Sequence, residues 1–217
     1  MAWVVAALFL LAIADALVDG RNTRRLRKAR RALKRAPRMA MGAVKNGDWA
    51  CVSGRARPRA PLKKSPLSQR DCIGFRVMVE RFDVGSAVWQ LIIDLEDFVT
   101  FSLADGTGEA VVHAPFVVML DPHDERGDDL PPAFFDLLER ERWRRTGPSG
   151  GEYLFRYTET LLLPDDDIVA LGRATIEIDP AGRARSHREP PVMCHLRGGE
   201  IPVVIAEPDV ADRATAS

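Results

Sequence analysis

Gly147-Pro148-Ser149-Gly150-Gly151 sets a serine in the G-x-S-x-G spacing of a hydrolase nucleophile elbow. That chemistry needs a strand before the serine and a helix after it. Here a helical pattern precedes the motif and a strand pattern follows, so it reads as the glycine-rich end of a helix. A serine-protease reading also fails, because His113 and His123 stand too close to it. A hydrolase using Ser149 is kept only as a third functional alternative. Leu103 to Thr107 has the outline of an aspartyl-phosphatase motif, but leucine occupies the position of the nucleophilic aspartate. Without that carboxylate there is no covalent step. Asp105, Gly106 and Gly108 are instead predicted to form a turn with positive φ and a side-chain-to-backbone bond.

Metal chemistry is equally short of ligands. His113, His123, His187 and His195 show no i, i+4 pairing, and Cys194-His195 stands alone as an adjacent pair. A zinc site needs three or four converging ligands. No metal and no cofactor is expected. Cys72, at a predicted strand start, reads as a buried small hydrophobe rather than a nucleophile. Cys51, Cys72 and Cys194 are an odd, unpaired set and fit a reducing compartment. The residues point away from an enzyme.

Charge is the stronger signal. The chain has 31 basic and 31 acidic residues, but residues 21–38 hold ten Arg or Lys and no acid. The remainder, from residue 39 on, is acidic. Upstream lies Ala2 to Val18, apolar except for Asp15, which is just long enough to cross a bilayer core. A cleaved signal peptide would carry its basic residues before the apolar stretch. An uncleaved single-pass anchor is therefore expected over residues 1–20. The positive-inside rule puts the basic flank and everything after it in the cytoplasm, which suits an inner-membrane protein. Arg21, Arg24, Arg25, Arg27 and Lys28 are the membrane-flanking residues, predicted to meet anionic lipid. Residues 23–36 are predicted to be helical. Pro37 and Gly42 end a juxtamembrane segment of residues 21–42.

Residues 43–207 read as one β-rich domain. Strand patterns run over 49–57, 73–82, 86–93, 97–103, 109–120, 153–163, 167–179, 191–196 and 201–207. Residues 97–120 form a predicted hairpin. Residues 121–130 are an acidic loop, followed by a helix from Pro131 to about Arg145, so that 121–150 reads as an insertion. The tail 208–217 is expected to be frayed. Short strands, Gly/Pro turns and one helix predict a mainly β fold, a small OB-like barrel with one inserted helix. The excess of Arg over Lys suggests a bacterial source. The loop 58–71, with Arg57, Arg59, Lys63, Lys64 and Arg70, is the candidate partner-binding loop.

The pattern resembles the GIDE domain, also called the beside-a-membrane (BAM) domain. The matching residues are Val52-Ser53-Gly54, Pro61 to Leu67, Cys72 with the strand after it, Phe101 to Gly108 with Ala110-Val111-Val112, Asp167 to Gly172, and Ile201 to Ile205. The eukaryotic members of that family add a second membrane helix and a RING. Three Cys, four His and no CxxC cannot supply the ligands of a RING. The resemblance implies a non-enzymatic binding or scaffolding domain with a protein partner. An OB-like domain that binds nucleic acid is the alternative, and the acidic charge after residue 38 argues against it.

Overall fold

The computed structural model of the protein describes residues 26–83, 87–114, 117–120, 130–147, 150–179, 192–198 and 201–208. The expected anchor, Ser149, His123, His187 and the tail after residue 208 lie outside them. Among the described residues no helix is long and apolar enough to cross a membrane.

Strand β1 (Trp49–Pro58) sends Ala50, Val52 and Ala56 to one side and Cys51 to the other, and all four are buried. Both faces of this strand are therefore covered, which removes the usual alternation of apolar and polar residues. On the inner side a closed five-stranded barrel forms. Its members are β1, β6 (Phe101–Ala104), β7 (Glu109–Val112), β11 (Val192–Arg197) and β10 (Asp167–Ile178). They follow one another in that circular order, and β10 pairs back onto β1. Every neighbouring pair is antiparallel except β7 and β11, which run parallel. Small residues on β1 and β10 face Phe101, Leu103 and Leu196, so the narrow interior is filled by side chains.

β1 changes partner along its length: Trp49 to Arg55 lie on β10, and Arg55 to Pro58 on β6. Gly54 sits at the change. A Cβ there would stand 2.6 Å from the carbonyl oxygen of Ala104, so only glycine lets the two backbones come this close.

The β6–β7 hairpin turns where the sequence predicts, with Gly106 at φ +83°. Gly108 is not in that region. Asp105 Oδ1 accepts from the amides of Thr107 (2.8 Å) and Gly108 (3.1 Å), and Oδ2 accepts from Met41 (2.8 Å). Residues 109–120 are not one strand, as the pattern predicts, but two. β7 ends at Val112, and β8 (Val117–Leu120) begins again after a break. The parallel partner breaks in step, with β11 followed by β12 (Val203–Ala206) and β8 parallel to β12. β12 also pairs with β10, so β8 becomes the free edge of the sheet.

A second sheet, β5-β4-β9, is inserted into the barrel chain. β4 (Gly74–Asp83) lies between β5 (Val88–Phe98) and β9 (Phe155–Leu162). Helix α2 (Pro132–Arg140) covers one face, packing Phe134, Leu137 and Leu138 on Phe75, Val77, Val79 and Ile93. β4 and β5 precede residues 121–150 and β9 follows them, so the small sheet draws its strands from both sides of that segment. α2 also stops five residues before Arg145. Arg142 adopts φ +62°, its amide donates to the Glu139 carbonyl, and Trp143 donates to Leu138. These two bonds make a Schellman end with arginine where glycine is usual, so the stop carries no sequence signal.

The opposite face of the small sheet meets the barrel through Arg76, which is 3% exposed. Its guanidinium donates to both carboxylate oxygens of Asp94 (2.9 and 3.1 Å) and to the Met119 carbonyl (3.1 Å). Glu96 lies 3.5 Å from the same guanidinium and accepts from the Met119 amide at 3.3 Å. The free edge of β8 is thereby satisfied at Met119 by side chains, which blocks further strand pairing there.

Candidate functional site

Residues 26–35 form helix α1. They contain no glycine, proline or β-branched residue, and Pro37 prevents the helix from continuing. Leu26, Ala29, Leu33 and Ala36 repeat at helical spacing and face the outside of the barrel. There they pack on Cys51, Val169, Leu171, Val204 and Ala206. Ala29 is fully buried, and its small side chain lets the helix axis approach the strands closely.

The outward side is uniformly cationic. Arg27, Lys28, Arg30, Arg31, Lys34 and Arg35 are all exposed. Like charges at i, i+4 weaken an isolated helix by about 0.2–0.5 kcal/mol per pair. Arg27/Arg31, Arg31/Arg35 and Arg30/Lys34 are three such pairs. α1 therefore depends on its seat on the barrel, as short helices generally depend on packing. Arg27, Arg31 and Arg35 line one side of an open groove of about 640 Å³, together with Lys28, Ala32 and Ile201. No ion pair joins Arg27, Arg31 or Arg35 to a described residue.

The predicted partner-binding loop differs. Arg57 lies 3.9 Å from Asp165, and Lys64 lies 3.4 Å from Asp71. Arg59 pairs with Glu109 and Lys63 with Asp97, each at 2.5 Å. Arg70 is exposed at the end of the loop. The loop is also tied down by a short ladder between β2 (Lys63–Lys64) and β3 (Asp71–Cys72), and by Leu67, whose amide donates to Glu159. Exposed ion pairs add little stability, yet they cancel charge locally. Four of the five cations named for this loop are already matched by acids.

Of the expected membrane-flanking residues, Arg27 and Lys28 stand on α1, while Arg21, Arg24 and Arg25 lie outside the described residues. Arg30, Arg31, Lys34 and Arg35 belong to the same surface. Their helical spacing was visible in the sequence, but Ile201, from the far end of the chain, was not.

The remaining chemical candidates also have definite places. Cys72 is fully buried, and its thiol is pushed up to about 11 by burial and then by Glu159, Asp71 and Asp97. It is a protonated thiol at neutral pH. Beside the serine motif the Gly147 amide donates to the Gly151 carbonyl at 2.8 Å. No group of three or more metal-ligating side chains occurs among the described residues.

His113 and His195 do meet. The parallel β7/β11 pairing brings His113 Nε2 within 2.8 Å of His195 Nδ1. The ring centroids are 5.0 Å apart, the separation of two imidazoles meeting nitrogen to nitrogen. One nitrogen must donate and the other accept, so the bond requires at least one neutral ring. Glu177 lies 3.7 Å from His195 Nε2 and also holds Arg197 at 2.8 Å. The His113 pKa is lowered by burial, then by His195 and Arg197, against an opposing pull from Glu177.

A His pKa depressed in the fold means that the unfolded chain takes up the proton more readily. Stability from this site is present above the ordinary value of 6.5 and lost as pH falls below it. Wild-type denaturant midpoints should therefore fall between about pH 7 and about pH 5 more steeply than those of His113→Gln. Equal slopes would show that His113 does not resist protonation.

No family model, no curated protein and no solved structure matches the chain.

Proposed function

We propose that the chain is a membrane-anchored, non-enzymatic binding module, a GIDE-like domain that holds a protein partner beside the membrane. In this reading Ala2 to Val18 is the span, and the domain stands on the cytoplasmic side of the inner membrane. The observation that carries it is the contrast between two sets of cations. Those of the loop 57–70 are mostly matched by acids, whereas no described acid pairs with Arg27, Arg31 or Arg35 on α1. An anionic lipid surface is the complement they lack, and it lies close by covalent necessity. The eight residues from Val18 to Leu26 span at most about 29 Å of extended chain.

The circular strand order, with its single parallel closure between β7 and β11, supports an OB-like barrel. Free cysteines support a reducing side. The pinned loop 58–71 would present a fixed shape, not a diffuse charge, to a partner.

The test is to tag the C-terminus, fractionate cells, wash the membranes with alkaline carbonate, and cross-link in intact cells before solubilisation. Retention through the wash, with one protein recurrently captured and then lost when loop 58–71 is rebuilt, is the expected result. Release by the wash sinks the anchor. Salt-sensitive capture of single-stranded oligonucleotides instead of protein would favour the nucleic-acid alternative, and labelling of Ser149 by a fluorophosphonate would revive the hydrolase.

A further inference from the structure

We infer that the groove between α1 and Ile201 is a binding site for an individual anionic phospholipid, and that this lipid fixes which side of the barrel faces the bilayer. The inference rests on the membrane-anchored reading above and adds a specific site to it. An amphipathic helix that lies in a membrane buries its apolar side in lipid. α1 cannot do so, because Leu26, Ala29, Leu33 and Ala36 are already spent on the barrel. Only its cationic side is left to meet a membrane. That side is not a featureless stripe. Arg27, Arg31 and Arg35 recur every fourth residue along one wall, while Ala32 and Ile201 supply apolar surface beside them.

A phosphodiester headgroup suits this arrangement chemically. Guanidinium groups bind phosphate oxygens in a planar, two-pronged manner that lysine cannot reproduce. The glycerol and first acyl carbons then have Ala32 and Ile201 to lie against, which a free phosphate would leave uncovered. The groove is also within the size range of small-ligand sites. A lipid seated there neutralises the like-charge repulsion along α1. It also turns the α1 side of the barrel toward the bilayer.

The experiment uses the full chain purified in a neutral detergent. Binding of phosphatidylglycerol, phosphatidylcholine and water-soluble glycerophosphoglycerol is measured by native mass spectrometry and by thermal shift. Phosphatidylglycerol should be retained and raise Tm, phosphatidylcholine should do neither, and glycerophosphoglycerol should bind far more weakly. With roughly fivefold in affinity for each basic residue at an anionic surface, the double variant R31Q/R35Q should lose about thirtyfold. R30Q/K34Q, on the part of α1 outside the groove, should retain most of the binding. I201Q should weaken the lipid but not the soluble headgroup, with an unchanged far-UV spectrum confirming that it folds.

Equal binding of glycerophosphoglycerol and phosphatidylglycerol would overturn the lipid assignment in favour of a phosphate site. Equal losses in the two double variants would overturn the groove in favour of diffuse attraction. No retained phosphatidylglycerol in a chain that still resists carbonate extraction overturns this inference alone. Release by carbonate overturns the anchored reading itself.

Discussion

Arg76→Ala is expected to destabilise the domain by about 3–5 kcal/mol, the range for removing one partner of a buried ion pair. Arg76 is 3% exposed, and the Asp94 and Glu96 side chains are 12% and 14% exposed. Truncation would leave two carboxylates with little water and would strip the Met119 carbonyl of its donor. Typical domains have only about 5–15 kcal/mol in total, so the midpoint of chemical denaturation should drop sharply at constant m. The wild-type network need not be worth as much as its breakage costs, since desolvating charges is itself unfavourable. Replacing Arg76, Asp94 and Glu96 together by apolar residues should therefore cost less than Arg76→Ala alone. A loss below about 1 kcal/mol for Arg76→Ala would mean that water reaches the site, as it does at exposed pairs.

Phe134→Ala should cost a similar amount, about 3–5 kcal/mol, by a different mechanism. Phe134 is fully buried, and its ring lies 5.6, 5.8 and 5.9 Å from those of Phe135, Phe155 and Tyr157. It fastens the nine-residue helix α2 to the inserted sheet. Removing it leaves a cavity among aromatic side chains that cannot collapse easily. The near-ultraviolet signal should weaken along with stability, while strand content in the far ultraviolet is kept below the transition. Phe134→Leu, which fills most of the space, should recover over half of the loss; no recovery would point to a role other than packing.

The barrel strands were legible because apolar residues cluster in short runs between Gly/Pro turns, and the Asp105-Gly106 turn was legible because few residues tolerate its backbone. What stayed hidden was partnership over distance. β4 pairs with its sequence neighbour β5, but also with β9 some eighty positions on, and nothing local in either segment announces it. The same applies to His113 and His195, joined only by the parallel pairing of β7 with β11. The α1 cations stand out in composition alone. The Leu26, Ala29, Leu33 and Ala36 spacing gives the helix an apolar side, but that this side seats on the barrel depends on β1, β10 and β12, which are remote in sequence. The cations of the loop 57–70 looked available because their acidic partners Asp165, Glu109, Asp97 and Asp71 are mostly remote in sequence.

The seat of α1 also sets an order of events during synthesis. α1 leaves the ribosome long before Val204 and Ala206, which are part of the surface it rests on. Until β12 arrives, the apolar side of the helix has an incomplete receiver, and β8 has no parallel neighbour. Contacts so distant along the chain are slow to form. From the synthesis of α1 until β12 arrives the chain is therefore an unclosed intermediate whose exposed apolar surfaces invite chaperones, and β12 is the latch that ends that vulnerable period.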